Sequence, residues 1–136
     1  MSATNSQVQL IEKNADYRGH DFYPSHDIWL SIPALYGTEH VGAEDKVVHL
    51  HYFAADCDWW VVEVDHNSGD AFGYVCLFGD RQSAEWGYFD LAELEGIYRE
   101  GSIYRDEQTA ALCLNPRLVV ERDLSWLPWA FFELGM

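Results

Sequence analysis

The clearest pattern of apolar and polar positions lies in the middle of the chain. Val47 to Ala54 and Trp59 to Asp65 are β-branched and aromatic runs of strand length, separated by the turn-forming Ala55-Asp56-Cys57-Asp58. Such runs, bounded by turn residues, predict an antiparallel hairpin. His66-Asn67-Ser68-Gly69-Asp70 then leads into Ala71 to Phe78, and Gly79-Asp80-Arg81-Gln82 turns toward Glu85 to Phe89. Consecutive strands joined by short turns predict a meander.

Asp90 qualifies as a helix N-cap, with Glu93 three residues on to complete a capping box. The helix is expected from Leu91 to about Arg99, with Leu91, Leu94, Ile97 and Tyr98 on its core face and Glu95 paired with Arg99 on the other. Beyond Gly101, Leu112 to Leu114 and Leu118 to Glu121 read as short strands around Asn115-Pro116. Upstream of the meander, Ser6 to Asn14 carries a weak amphipathic pattern that predicts a short helix. Asp16 to Pro33 reads as an ordered loop pinned by Phe22, Tyr23, Ile28 and Trp29. Trp126 to Leu134 is almost wholly apolar, and burying each large side chain is worth roughly 1.5 to 3 kcal/mol, so this tail should dock on the body or on a partner. The expected fold is one α+β domain over 1–136: an antiparallel β-meander sheet of about four to six strands with one or two short helices packed on it, and residues 1–5 flexible.

Composition supports a packed core. Of 136 residues, 49% are hydrophobic, and the chain carries six Trp, eight Tyr and seven Phe, far more burial than a disordered acidic chain offers. Eight cations against 23 carboxylates give a formal charge of -15, which repels nucleic acid and anionic membrane and attracts basic surfaces. Direct nucleic-acid binding is not expected. No apolar run approaches the roughly 20 residues that span a bilayer, and MSATNSQ lacks the features of a signal peptide, so the expected location is cytoplasmic. Cys57, Cys76 and Cys113 are odd in number and form no C-x-x-C pair, so three reduced, mostly buried thiols are expected.

Few residues suggest chemistry. His20-Asp21 and His26-Asp27 are the most metal-like steps, but their spacing matches no established ligand pattern. His49 and His51 alternate on one strand face. Glu63 lies inside an apolar strand with Trp59 and Val61 on its own face. It is either a buried carboxylate with acid or base character, one satisfied by an arginine such as Arg122, or one pointing to solvent. Phosphate loops, nucleophile elbows and H-E-x-x-H are absent from the sequence. No catalytic residue, cofactor or metal is therefore expected; the alternative is a small enzyme or ligand-binding domain with a pocket near Trp59, Glu63, His49 and His51.

The carboxylates change the picture more. They are spread along the chain, many at turns, where Asp also has a local backbone role. Either they simply make a soluble surface, or they imitate DNA phosphates and capture a basic groove. On the second reading the partner-binding candidates are Asp21, Asp27, Glu39, Glu44, Asp45, Asp56, Asp58, Asp65, Asp70 and Asp80, with Trp126 and Trp129 as apolar anchors. A homodimer through the aromatic tail is compatible with either function.

Several segments, in order, carry a resemblance: Ile32-Pro33-Ala34-Leu35-Tyr36-Gly37-Thr38-Glu39, Glu44-Asp45-Lys46-Val47, Trp59 with Glu63 and Asp65, Phe72-Gly73-Tyr74-Val75, Glu85-Trp86-Gly87-Tyr88-Phe89, Leu91 with Glu93-Leu94-Glu95, and Glu121-Arg122-Asp123-Leu124. Over roughly Ile32 to Trp126 the chain resembles an uncharacterised bacterial family that bears only a domain-of-unknown-function label and is common on conjugative plasmids, prophages and integrated elements. The resemblance implies no activity, catalytic residue or cofactor. It implies a setting, in which small proteins disarm host restriction or CRISPR systems. The expected function is accordingly that of a small acidic interaction protein of a mobile element. It would inhibit a host nucleic-acid-binding complex, as an anti-restriction or anti-CRISPR DNA mimic, by binding a basic surface of that host complex.

Overall fold

The computed structural model describes residues 10–136. The fold is α+β. Its centre is a five-stranded antiparallel sheet in the order β10-β2-β3-β4-β5, where β2 is Leu50–Ala54, β3 Cys57–Val64, β4 Asp70–Cys76, β5 Glu85–Asp90 and β10 Glu121–Arg122. Strands β2 to β5 form the expected meander, and β10 returns to pair with β2, Glu121 opposite Phe53.

Each face of the sheet has its own cover. On one face, Leu50, Tyr52, Trp59, Val61, Val64 and Ala71 pack against Phe22, Trp29 and Ile32 and against Leu91 and Leu94 of α3 (Leu91–Glu95). On the other, His51, Trp60, Tyr74 and Trp86 stand opposite one another across four strands. Phe131 closes on this row, with ring centroids 4.9 Å from Tyr74 and 4.7 Å from Trp86. Phe131 belongs to the C-terminal tail, which runs through β11 (Trp129–Ala130) into a 3-10 turn, Phe131–Leu134, and pairs β11 with β1 (Val47–Val48). Trp126 donates its indole N–H to the Val48 carbonyl at 3.1 Å.

Several local expectations are corrected. The helix expected to reach Arg99 ends at Glu95, where the Gly96 amide closes it on the Ala92 and Glu93 carbonyls. Tyr98–Arg99 is a strand, β6, paired with β9 (Leu118–Val119). Glu95 does not pair with Arg99 at the surface; it is buried against Arg18. Asp16 to Pro33 is not all loop, since α1 (Ala15–Arg18) overlaps its start and α2 (His26–Ser31) lies within it. Phe22 and Trp29 are buried as expected, but Ile28 is exposed. The helix expected over Ser6 to Asn14 falls partly outside the described residues, as do residues 1–5 entirely; its described part, 10–14, is irregular. Ser102–Arg105 forms a strand, β7, that the sequence pattern did not predict; it pairs with β8 (Leu112–Asn115). Of the cysteines, Cys76 is buried and Cys57 and Cys113 half-buried.

A β-bulge interrupts β3 between Val61 and Glu63. Bulges shift which side chains face which side. Here the shift turns Glu63 onto the face of Trp60 and Val62, with Phe72 of β4 as its register partner. Gly73 stands opposite Val61 at the bulge, and a Cβ on it would lie 1.7 Å from the Trp60 carbonyl oxygen. Only glycine lets the two strands approach there.

Candidate partner-binding edge of the sheet

The residues singled out as a pocket do not converge. Trp59 is buried on one face with Val61, whereas Glu63 lies on the other. Nor do His49 and His51 alternate: β1 ends at Val48, packed on the Phe131 side, and β2 begins at Leu50, packed on the opposite side, so the alternation breaks at His49. His51 stacks on Trp60 with centroids 5.2 Å apart, and its Nδ1 and Nε2 lie 3.1 Å and 2.8 Å from Asp123 and Asp58. Both ring nitrogens are thereby engaged within the protein. No group of three or more His, Cys, Asp or Glu side chains is placed to hold a metal among the described residues. His20 faces Glu121 at 3.5 Å, and His26 opens α2 in an exposed position.

Burial holds His49 below the usual imidazole range. The unfolded histidine takes up its proton near pH 6.5 while the folded one resists, so this group makes stability fall as pH drops below about 6.5. Replacing His49 with Gln is expected to flatten that part of the stability–pH curve, measured as urea midpoints across pH 5 to 7.

Glu63 has a different task. Its carboxylate accepts the Tyr36 amide at 2.8 Å, the Thr38 amide at 3.1 Å and the Thr38 hydroxyl. Lys46 Nζ extends the network to the Thr38 carbonyl and hydroxyl, at 2.6 and 2.8 Å. Not Arg122 but the 36–38 loop satisfies this carboxylate. The loop is a β-turn, Ala34 to Gly37, closed by the Gly37 amide on the Ala34 carbonyl at 2.9 Å. Its third residue, Tyr36, has φ 69°. That position of a type II turn favours glycine, and here it bears a tyrosine that is 60% exposed.

The Tyr36 ring lies 6.2 Å from Tyr88 of β5, which is also exposed. Its own partial burial, then the Tyr36 phenol and the carboxylates of Glu63 and Glu39, raise the Tyr88 hydroxyl above its ordinary range. Strand β5 ends the sheet order, so its outer edge carries no partner strand among the described residues. Between Tyr88 and the β4–β5 turn runs an open cleft of about 410 Å³ lined by Val75, Leu77, Phe78, Asp80, Ser83, Glu85, Gly87 and Tyr88. Phe78 repeats the anomaly of Tyr36. The turn Leu77 to Asp80 has φ 56° at Phe78 and 69° at Gly79, the primed geometry that favours Asn-Gly, yet Phe78 is there, 76% exposed. Around β5, Tyr36 and Tyr88 thus lie on the Phe131 face with Glu39 nearby, while Val75, Glu85 and Gly87 of the cleft belong to the opposite face and Phe78 and Asp80 to the turn at its end.

The acidic candidates are distributed over several places. Glu39, Glu44 and Asp45 lie on the loop that Glu63 braces, and Asp56 and Asp80 adjoin at one end of the sheet, where the Gly79 amide donates to the Asp56 carbonyl at 2.8 Å. Asp70 lies at the opposite end beside Asp90, and Asp65 caps the turn there through the Ser68 and Asn67 amides, which hold its carboxyl below the usual range. Asp21 and Asp27 are exposed on the covering segment, and Asp58 is engaged by His51. Trp126 is half-buried against Val48 and His51, while Trp129 is 46% exposed.

Sequence reasoning did not single out Tyr36, Tyr88 or Phe78, which the structure leaves exposed. The signal was present at Tyr36-Gly37 and Phe78-Gly79, where a bulky residue occupies the turn position next to a glycine. Compared with models of known families, with curated proteins and with solved structures, the chain gives no match at the significance applied.

Proposed function

We propose that this chain is a non-enzymatic, acidic interaction protein whose β5 edge binds a basic surface of a host nucleic-acid-handling protein. The observation that carries the reading is Tyr36: a buried carboxylate holds a bulky residue in a glycine conformation, with its ring in solvent beside Tyr88. Such strain costs on the order of 1 to 3 kcal/mol, persists only where the surrounding structure enforces it, and clusters at functional sites. Carboxylates supply attraction and steering, while desolvated aromatic anchors supply residence time. A mobile-element setting, in which host restriction or CRISPR complexes present basic nucleic-acid grooves, provides partners of this charge.

The test is affinity capture on the wild-type chain and on Tyr36→Gly, followed by competition against duplex DNA for each captured protein. Tyr36→Gly is expected to fold with stability within about 1 kcal/mol of wild type, because relief of the backbone offsets lost ring contact. Its affinity is expected to fall about thirtyfold, the effect of losing an interface anchor. Binding should weaken steeply with added salt and should displace the DNA. Salt-insensitive binding, or equal capture by Tyr36→Gly, would refute the reading.

A further inference from the structure

The β7–β8 hairpin stands apart from the five-stranded sheet as a two-stranded ribbon of its own. Its construction is well specified. Asp106 Oδ1 accepts the Gln108 and Thr109 amides, and the Asp106 amide donates to the Ala111 carbonyl at 2.9 Å. In its register Ile103 faces Leu114 and Arg105 faces Leu112, so Ile103, Leu112 and Leu114 share one side of the ribbon. All three are open to solvent, at 73%, 69% and 69%. Isolated two-stranded ribbons are marginal in water, and an apolar side of this kind needs a cover.

The charge of the same segment says what the cover is. Across 97–118, Arg99, Arg105 and Arg117 cancel Glu100, Asp106 and Glu107, so the whole formal charge of -15 resides elsewhere in the chain. A basic partner is drawn to the acidic surfaces and gains nothing here. A second copy of this chain is repelled by those surfaces and meets at the hairpin ground that is apolar and without net charge. Arg105 shares this side of the ribbon and bends to the Ala110 carbonyl at its end; with no net charge over the segment, two copies meet here without the repulsion of the acidic surfaces.

We infer that the chain forms a homodimer in which the Ile103–Leu112–Leu114 side of one hairpin packs on the same side of its partner. Six such side chains cover on the order of 600 Å² of apolar surface at roughly 100 Å² each. At the usual apolar share that corresponds to about 1,000 Å² in all, the lower limit of a specific interface, so association that depends on concentration is expected. This contact is distinct from one through the aromatic tail, where Phe131 is buried within its own chain and Leu127, Trp129 and Phe132 are exposed.

Sedimentation equilibrium of the full chain tests it. Between about 1 and 200 µM the mass is expected to rise from 15.7 kDa toward twice that value. Added salt should strengthen association by screening the repulsion between acidic copies, opposite in sign to the salt effect on a basic partner. Ile103→Lys and Leu114→Lys alter exposed positions, so their circular dichroism should match wild type while association weakens at least tenfold. A wild-type chain that stays at 15.7 kDa throughout overturns the proposal. Lysine variants that associate like wild type overturn it equally.

Discussion

Arg18→Ala is expected to cost about 3 to 5 kcal/mol of stability, a fall of about 15 °C in Tm for a domain of this length. The Arg18 side chain is wholly buried, and it ties three separated segments together. Its Nε donates to the Val120 carbonyl at 2.7 Å, one terminal nitrogen meets Glu12 at 3.1 Å and the other meets Glu95 at 3.0 Å. Glu95 in turn accepts the amides of Lys13 and Asn14, both at 2.9 Å. Truncating the arginine leaves Glu95 buried without its counter-charge and the Val120 carbonyl without its donor, so desolvation already paid in folding is no longer offset. The double variant Arg18→Met with Glu95→Gln should recover part of the loss, because the amide oxygen still accepts a backbone N–H and the thioether fills the volume. Urea denaturation of the two singles and the double gives the coupling. A loss below about 1 kcal/mol in Arg18→Ala would mean that water already reaches the site.

This clamp marks the limit of what periodicity reveals. The meander was legible because β2 to β5 are runs of β-branched and aromatic residues between turn clusters, a local signal of period two. The Arg18–Glu95 contact spans 77 positions of sequence, and nothing near either residue announces it. On helical spacing alone Glu95 belonged on the wet side with Arg99, but Gly96 ends the helix and the long-range partner wins. Glu63 fails for a related reason. Strand alternation put it with Trp59 and Val61, and the bulge reversed it. A bulge has no reliable sequence mark, although a glycine inside an apolar strand, here Gly73, is the usual hint.

The candidate edge was not read from the sequence and shows only in the structure, through broken rules. Local propensity, turn chemistry and burial agree through most of the fold, and disagreement between them concentrates at sites kept for function. Tyr36 and Phe78 each place a large ring, exposed, where the backbone favours glycine or asparagine. Both flank the outer strand of the sheet. Ala55 and Ala110 also have positive φ, but they are small; Tyr36 and Phe78 are the bulky cases, and it is on them that the proposed contact rests.

Glu63 is where stability and the proposed contact meet, so its replacement should reduce both. Glu63→Ala removes the acceptor for two amides and a hydroxyl, and donors left unpaired in a partly buried loop cost about 1 kcal/mol or more each. A loss of about 2 to 4 kcal/mol is expected, read from urea denaturation. Without the brace, only the Gly37-to-Ala34 bond of the turn holds Tyr36 at φ 69°, so the loop should relax and partner affinity should fall about as far as in Tyr36→Gly. Glu63→Gln sharpens the test. The amide keeps one acceptor oxygen and nearly the same volume, but its NH2 points at a backbone N–H, so it should lose about half as much stability and still release part of the loop. Adding Tyr36→Gly to Glu63→Ala should then restore some stability without restoring affinity, since glycine adopts the turn unaided. If Glu63→Ala bound its partner as tightly as wild type, the braced tyrosine would be a feature of folding alone, and the anchor would have to lie at Phe78 or elsewhere on the acidic surface.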